Sequence, residues 1–246
     1  MTLQTTFRPH LTAIAFLATA LSSTAFAQTA IPLKEAKLNI EHNATAHDTG
    51  FQGAIDSEGW KSLTVTGPDG VVLEFDAEGK MRTLGLTELF FETVEPENAD
   101  VPINQMLAKL PAGYYKIAGP ATGGGRTAGT AWLSHDIPEG PGLLAPLEGA
   151  IVPASDLLVR WKPVTKTITG APVNIIAYQL IIEKDGPTHP HMIGKPSSLS
   201  MYLPATVNRI RIPGGFLEPS TPYLWEVLAI EESGNQTLSS SAFSTN

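Results

Sequence analysis

Apolar residues along this chain come in short runs that proline and glycine interrupt throughout, and the pattern predicts many short strands joined by turns, a mostly β protein. Residues 62–66, SLTVT, and 71–75, VVLEF, flank GPDG, a proline-led reversal that reads as a hairpin, with AEGK at 77–80 as the next turn. Residues 114–118, YYKIA, and 130–134, TAWLS, flank GPATGGGRTAG and read as a second hairpin with a long loop. Between them Pro102, Ile103, Met106, Leu107 and Leu110 have helical spacing, with proline at a tolerated first-turn position, so one short helix is expected. Residues 137–149, IPEGPGLLAPLEG, show no apolar periodicity. Residues 141–149 are therefore expected as a hinge between a β-rich domain over 37–140, preceded by an arm over 28–36, and a second domain over 150–246. Residues 86–94 fit two periods. Leu86, Leu89, Phe90, Thr93 and Val94 form a helical stripe, whereas adjacent Phe90 and Phe91 suit a strand buried on both faces.

In the second half, Leu158 and Arg160 alternate against Leu157, Val159 and Trp161. Tyr178, Leu180 and Ile182 alternate against Ala177, Gln179 and Ile181, as strands with one buried face do. Leu217, Pro219, Thr221, Tyr223, Val227 and Ala229 then follow at the spacing L-x-P-x-T-x-Y-x-x-x-V-x-A. This segment resembles the corner of a fibronectin type III domain, and the resemblance extends over residues 145–246. It implies a β-sandwich with Trp161 in the core between two sheets and Tyr223 closing a corner through its hydroxyl, while Tyr178 is read as structural from the alternation. Residues 186–203, GPTHPHMIGKPSSLSMYL, are longer than the usual connection of that family. No Arg-Gly-Asp is present, so integrin-type adhesion is not implied. The whole chain looks like exported bacterial proteins that carry such a domain, which implies an envelope protein without assigning it a functional residue.

The first 27 residues read as an address. Arg8 precedes an uncharged apolar run over 11–21, and SSTAFA ends in small residues at Ala25 and Ala27, the shape of a secretory signal peptide cleaved before Gln28. The run is too short to span a bilayer, so a periplasmic or secreted protein without a membrane span is expected. With no cysteine, disulfides, thiolate metal sites and cysteine nucleophiles are excluded. A net charge of −8, with lysines and arginines scattered singly, offers no footprint for nucleic acid.

Candidate chemistry is sparse. Residues 87–97, TELFFETVEPE, hold Glu88 and Glu92, which on a helix would sit close enough for a glycosidase pair and on a strand would not. The reading adopted is that they keep an apolar segment wetted. His189 and His191, in PTHPH, are candidates for a weak surface metal site, because flanking prolines stiffen the loop. His42, His47 and Asp48 read as a solvated arm. Glycines 123–125 before Arg126 and Thr127 miss the phosphate-loop spacing, and adjacent His135 and Asp136 would face opposite ways in a strand. No cofactor or metal is expected. The sequence thus points to an exported, non-enzymatic β protein that binds or spaces a protein or polysaccharide partner. The competing reading is a hydrolase of an envelope or extracellular polymer, with its chemistry in the first half and aromatics such as Trp60 and Trp132 lining a cleft.

Overall fold

A computed structural model describes residues 30–192, 195 and 198–246. The expected signal peptide, and residues 193, 194, 196 and 197 of the long connection, lie outside the described residues. The chain is mostly β. Its first half contains β1 (Ile31–Pro32), β2 (Glu35–Asn43), β3 (Asp48–Trp60), β4 (Ser62–Gly67), β5 (Gly70–Asp76), α1 (Gly79–Leu84), β6 (Leu86–Glu92), α2 (Ile103–Leu107), β7 (Gly113–Pro120) and β8 (Arg126–Leu133). Then follow β9 (Gly142–Ala145), β10 (Ala150–Val152), β11 (Leu158–Lys162), β12 (Ile175–Lys184), β13 (Ser198–Pro204), β14 (Arg209–Arg211), β15 (Pro222–Glu231) and β16 (Gln236–Thr245).

Both predicted hairpins form, as β4–β5 and β7–β8. They belong to a five-stranded sheet ordered β1-β8-β7-β4-β5. A long sheet ordered β13-β12-β15-β16-β2-β3-β6 runs through both halves of the chain, and β14-β11-β9 forms a third sheet. Period-two alternation decides the faces. In β2 Leu38, Ile40 and His42 point inward, while in β15 Tyr223, Trp225, Val227 and Ala229 do. Ala229 pairs with Thr237, and Thr237 is in register with His42 across the parallel β16–β2 ladder. Inward positions of both halves therefore lie on one face of the long sheet, and the two smaller sheets cover that face side by side.

Each covered stretch has its own core. Trp60, Leu63, Tyr115, Ile117 and Leu133 anchor the first, and Trp161, Tyr178, Trp225 and Phe243 the second. Gly53 shows how tightly the first is closed: an added Cβ would lie 2.3 Å from Cε1 of the Phe91 ring that covers it.

Several expectations change. The hinge over 141–149 instead contains β9, whose Leu143 pairs with Trp161, so the second sandwich begins earlier. The arm over 28–36 contains β1, fixed to β8, and the start of β2. There are two short helices among the described residues, because the AEGK turn runs on into α1. Residues 86–92 form a strand buried on one face only. Phe91 opposes Gly53 inside, whereas Phe90 opposes Ala54 outside and is 65% exposed. Phe91→Ala should therefore destabilise the fold by about 2–4 kcal/mol through lost burial and a cavity. Phe90→Ala should change it by less than about 0.5 kcal/mol. Urea denaturation of the two variants beside the parent separates these outcomes.

Candidate functional site

Strand geometry removes the pairing of Glu88 with Glu92. Four residues of strand span about 13 Å, beyond the reach of either glycosidase arrangement. The fold gathers Glu92 with Glu41 and Glu95 instead, on the outer face of the long sheet, with one carboxylate oxygen of each within 4.8 Å of the others. Glu41 projects from β2 and Glu92 from β6, while Glu95 lies over Gly50 of β3, whose missing side chain leaves it room. Gln52 Nε2 donates to Glu92 Oε1 at 2.8 Å, and Gln236 Nε2 donates to Glu41 Oε2. Glu95 Oε1 is buried without a hydrogen-bond partner among the described residues. Burial, followed by the charges of Glu41, Glu92 and Asp48, raises the Glu95 carboxyl to about 7, and burial raises Glu41 as well. Three carboxylates supply only part of the six to eight oxygens that a calcium ion takes.

The imidazoles are dispersed. His189 and His191 are exposed, with ring centroids 5.9 Å apart, and His191 N donates to His189 Nδ1. His42 is no solvated arm. It is buried, with Nδ1 2.9 Å from Thr49 Oγ1 and 3.0 Å from Asp48 O, and burial lowers its pKa. His47 occupies a turn at φ 60°. His135 Nε2 lies 2.9 Å from Leu110 O, and Thr127 Oγ1 donates to Ile31 O at 2.9 Å.

The residues of the corner motif lie in or beside the second core. Trp161 is buried edge-on against Tyr178, whose hydroxyl accepts from Val164 N. Tyr223 Oη accepts from Glu218 N at 2.8 Å, closing the corner, and its ring stacks on Phe243. Thr221 Oγ1 donates to Pro219 O, and its backbone N–H donates to Thr245 Oγ1. Leu217, Val227 and Ala229 fill the core.

Of the two tryptophans expected beside a cleft, Trp60 is buried at 1% exposure, whereas Trp132 is 46% exposed. Trp132 pairs across β7–β8 with Tyr114, 70% exposed, and their ring centroids lie 4.7 Å apart. A depression of about 440 Å³ adjoins Tyr114 and is lined by Thr66, Lys116 and Thr130. Another of about 390 Å³ adjoins Trp132, where Asn39 from the first half meets Ile176 and Glu232 from the second. Sequence reasoning missed Tyr114. The available signal was the hairpin register, since GYYKIA alternates and sends Tyr115 inward and Tyr114 out beside Trp132.

No protein-family model matches the sequence, and no curated protein matches it. Among solved structures, the chain is similar to the third fibronectin III domain of human KIAA0343 protein, at 18% identity over 46% of this chain and 86% of that one, with a TM-score of 0.34. It is also similar to a two-domain fibronectin type III segment from chicken tenascin, at 11% identity over 87% of this chain and 99% of that one, with a TM-score of 0.32. No helix among the described residues is long and apolar enough to cross a membrane.

The raised Glu95 carboxyl has a definite pH signature. Between about 4.5 and 7 the folded protein holds a proton there that the unfolded chain has released, so stability falls as pH rises through this window. His42 acts in the opposite sense, its lowered pKa making stability rise with pH towards 6.5, but it is common to parent and variant and cancels in their difference. Glu95→Gln should match the parent near pH 4.5 and exceed it by about 1 kcal/mol at pH 8, the figure being reduced by solvent screening. Denaturation at both values tests this, and a gain independent of pH would contradict it.

Proposed function

We propose that this chain is an exported, non-enzymatic binding protein of the cell envelope or extracellular space, with a fibronectin type III module in its C-terminal half and a polysaccharide as its partner. The observation that supports this reading is the exposed Tyr114–Trp132 pair set between two depressions whose linings each include polar side chains. Aromatic faces stack on the C–H faces of sugar rings, while hydroxyl, amide and ammonium groups beside them exchange hydrogen bonds with sugar hydroxyls. Thr66, Lys116 and Thr130 supply such groups on the Tyr114 side, and Lys37, Asn39 and Glu232 on the Trp132 side. A polymer fits this layout better than a single sugar, because the rings separate two shallow sites instead of closing one. Protein interfaces also use Tyr and Trp, but around a larger desolvated centre, whereas here the flanks are two shallow depressions that carry Lys37, Asn39 and Glu232 on one side and Thr66, Lys116 and Thr130 on the other.

On a glycan array the folded parent should bind at least one polysaccharide. Tyr114→Ala with Trp132→Ala should weaken that binding roughly tenfold, at about 0.5–1.5 kcal/mol per ring. A folded protein that bound no glycan, or a double variant that bound as well as the parent, would refute the reading. Export has its own test. The intact mass of the protein recovered outside the cytoplasm should correspond to a chain beginning at Gln28, and recovery of a chain that still begins at Met1 would refute cleavage.

A further inference from the structure

A larger cavity lies elsewhere, on the side of the first sandwich where both of its sheets end. β5 is the edge of the five-stranded sheet and β6 the edge of the long one. Phe75 and Phe91 touch across the gap with ring centroids 5.6 Å apart. Beside that contact the sheets leave a cleft of about 890 Å³, within the usual range of about 300–1,000 Å³ for small-molecule sites. Leu38, Phe51, Val65 and Met106 floor it, all buried, and Val71 and Val94 stand exposed at its mouth.

The polar groups around this cleft decide what it can hold. Glu92 is engaged by Gln52 on the outer face of the sheet. Thr93 is committed twice to Phe51, its backbone N–H donating to Phe51 O at 2.9 Å and its Oγ1 accepting from Phe51 N at 3.0 Å. Lys109, just after α2, is the remaining polar residue of the lining, and its ammonium has no ion pair among the described residues. A peptide laid inside could pair one side of its backbone with the β5 or β6 edge but would bury the N–H and C=O groups of its other side against apolar side chains that offer them no partners. A hydrocarbon chain has no such groups to satisfy, and one unpaired cation at the rim complements one anionic head.

We propose that the cleft is a binding site for a free long-chain fatty acid, its tail along the β5 wall and its carboxylate at Lys109. The inference is separable from the polysaccharide surface, since neither Tyr114 nor Trp132 lines the cleft and Leu38 is the one lining residue that it shares with the depression beside Trp132. Titration of the mature protein with hexadecanoate below its micellar concentration should show one saturable site. Lys109→Glu, at an exposed position, should weaken binding about tenfold, and hexadecanol should bind more weakly than the acid. Val71→Glu with Val94→Glu, both also exposed, should abolish binding while circular dichroism and unfolding stay those of the parent. Tyr114→Ala with Trp132→Ala should leave it unchanged. Absence of hexadecanoate binding by the folded protein would overturn the proposal, as would undiminished affinity in the Val71/Val94 double variant. Equal affinity for hexadecanol, or sedimentation with phospholipid vesicles in preference to the free acid, would overturn the assigned head group or the free-acid source. Saturable binding of an apolar peptide, unaffected by Lys109→Glu, in place of the fatty acid would show strand addition at β5 and refute it.

Discussion

The carboxamide of Asn235 holds the two halves of this protein in one frame. It is 0% exposed, and both ends of it are occupied. Its Oδ1 accepts from Ile40 N at 2.8 Å, and its Nδ2 donates to Ser134 Oγ at 2.8 Å, with Ser134 O and Asp136 O within 3.3 Å. The turn that carries it is fixed by the buried Glu231 carboxylate, which accepts from the N–H groups of Ser233 and Asn235. Thr237 Oγ1 reaches Pro138 O next to it. A buried amide left unpaired is expensive, so this arrangement penalises any other placement of the halves more than it rewards the correct one. Apolar contact would tolerate sliding, whereas these bonds set the register in which β16 meets β2.

That register has consequences for the surface. Because both small sheets cover the same face, the other face of the long sheet continues across the junction, and acids from separate strands meet there. Burial raises the pKa of Glu226 of β15 too, the same direction and first cause as at Glu41 and Glu95. The same junction creates the depression beside Trp132, where residues of both halves meet. Asn235, through its partners in the first half, thereby links the polar network in the interior to the depression that the binding reading uses at the exterior.

Local patterns in the sequence carried the fold a long way. Both hairpins, the short helix after Pro102, the alternation in β11 and β12 and the Tyr223 corner are set by turn chemistry and period-two spacing within a few residues. What escaped depends on partners distant in sequence. Phe90 and Phe91 look alike until Ala54 and Gly53 are known to lie opposite them. His42 reads as solvated until β2 is seen sandwiched between β3 and β16. Proline and glycine around residues 141–149 suggest a linker, yet β9 needs only four residues to join a sheet, too few for periodicity to show. The carboxylate trio was half visible. Glu92 stood out, but Glu41 lies far off in sequence and arrives only through strand pairing.

The glutamates of TELFFETVEPE then acquire a physical reason. β6 is an edge strand, with one side of its backbone unpaired among the described residues and an exposed Phe90 on its outer face, the combination that invites pairing with another chain. Glu88 and Glu92 flank that phenylalanine on the same outer face, and β5, the facing edge, carries Glu74 and Asp76. A second strand laid along either edge would bring its own chain's acids, from a protein of net charge −8, against these. Repulsion of this kind disfavours edge-to-edge pairing without closing the apolar cleft between β5 and β6, so the opening proposed for a fatty acid is left accessible.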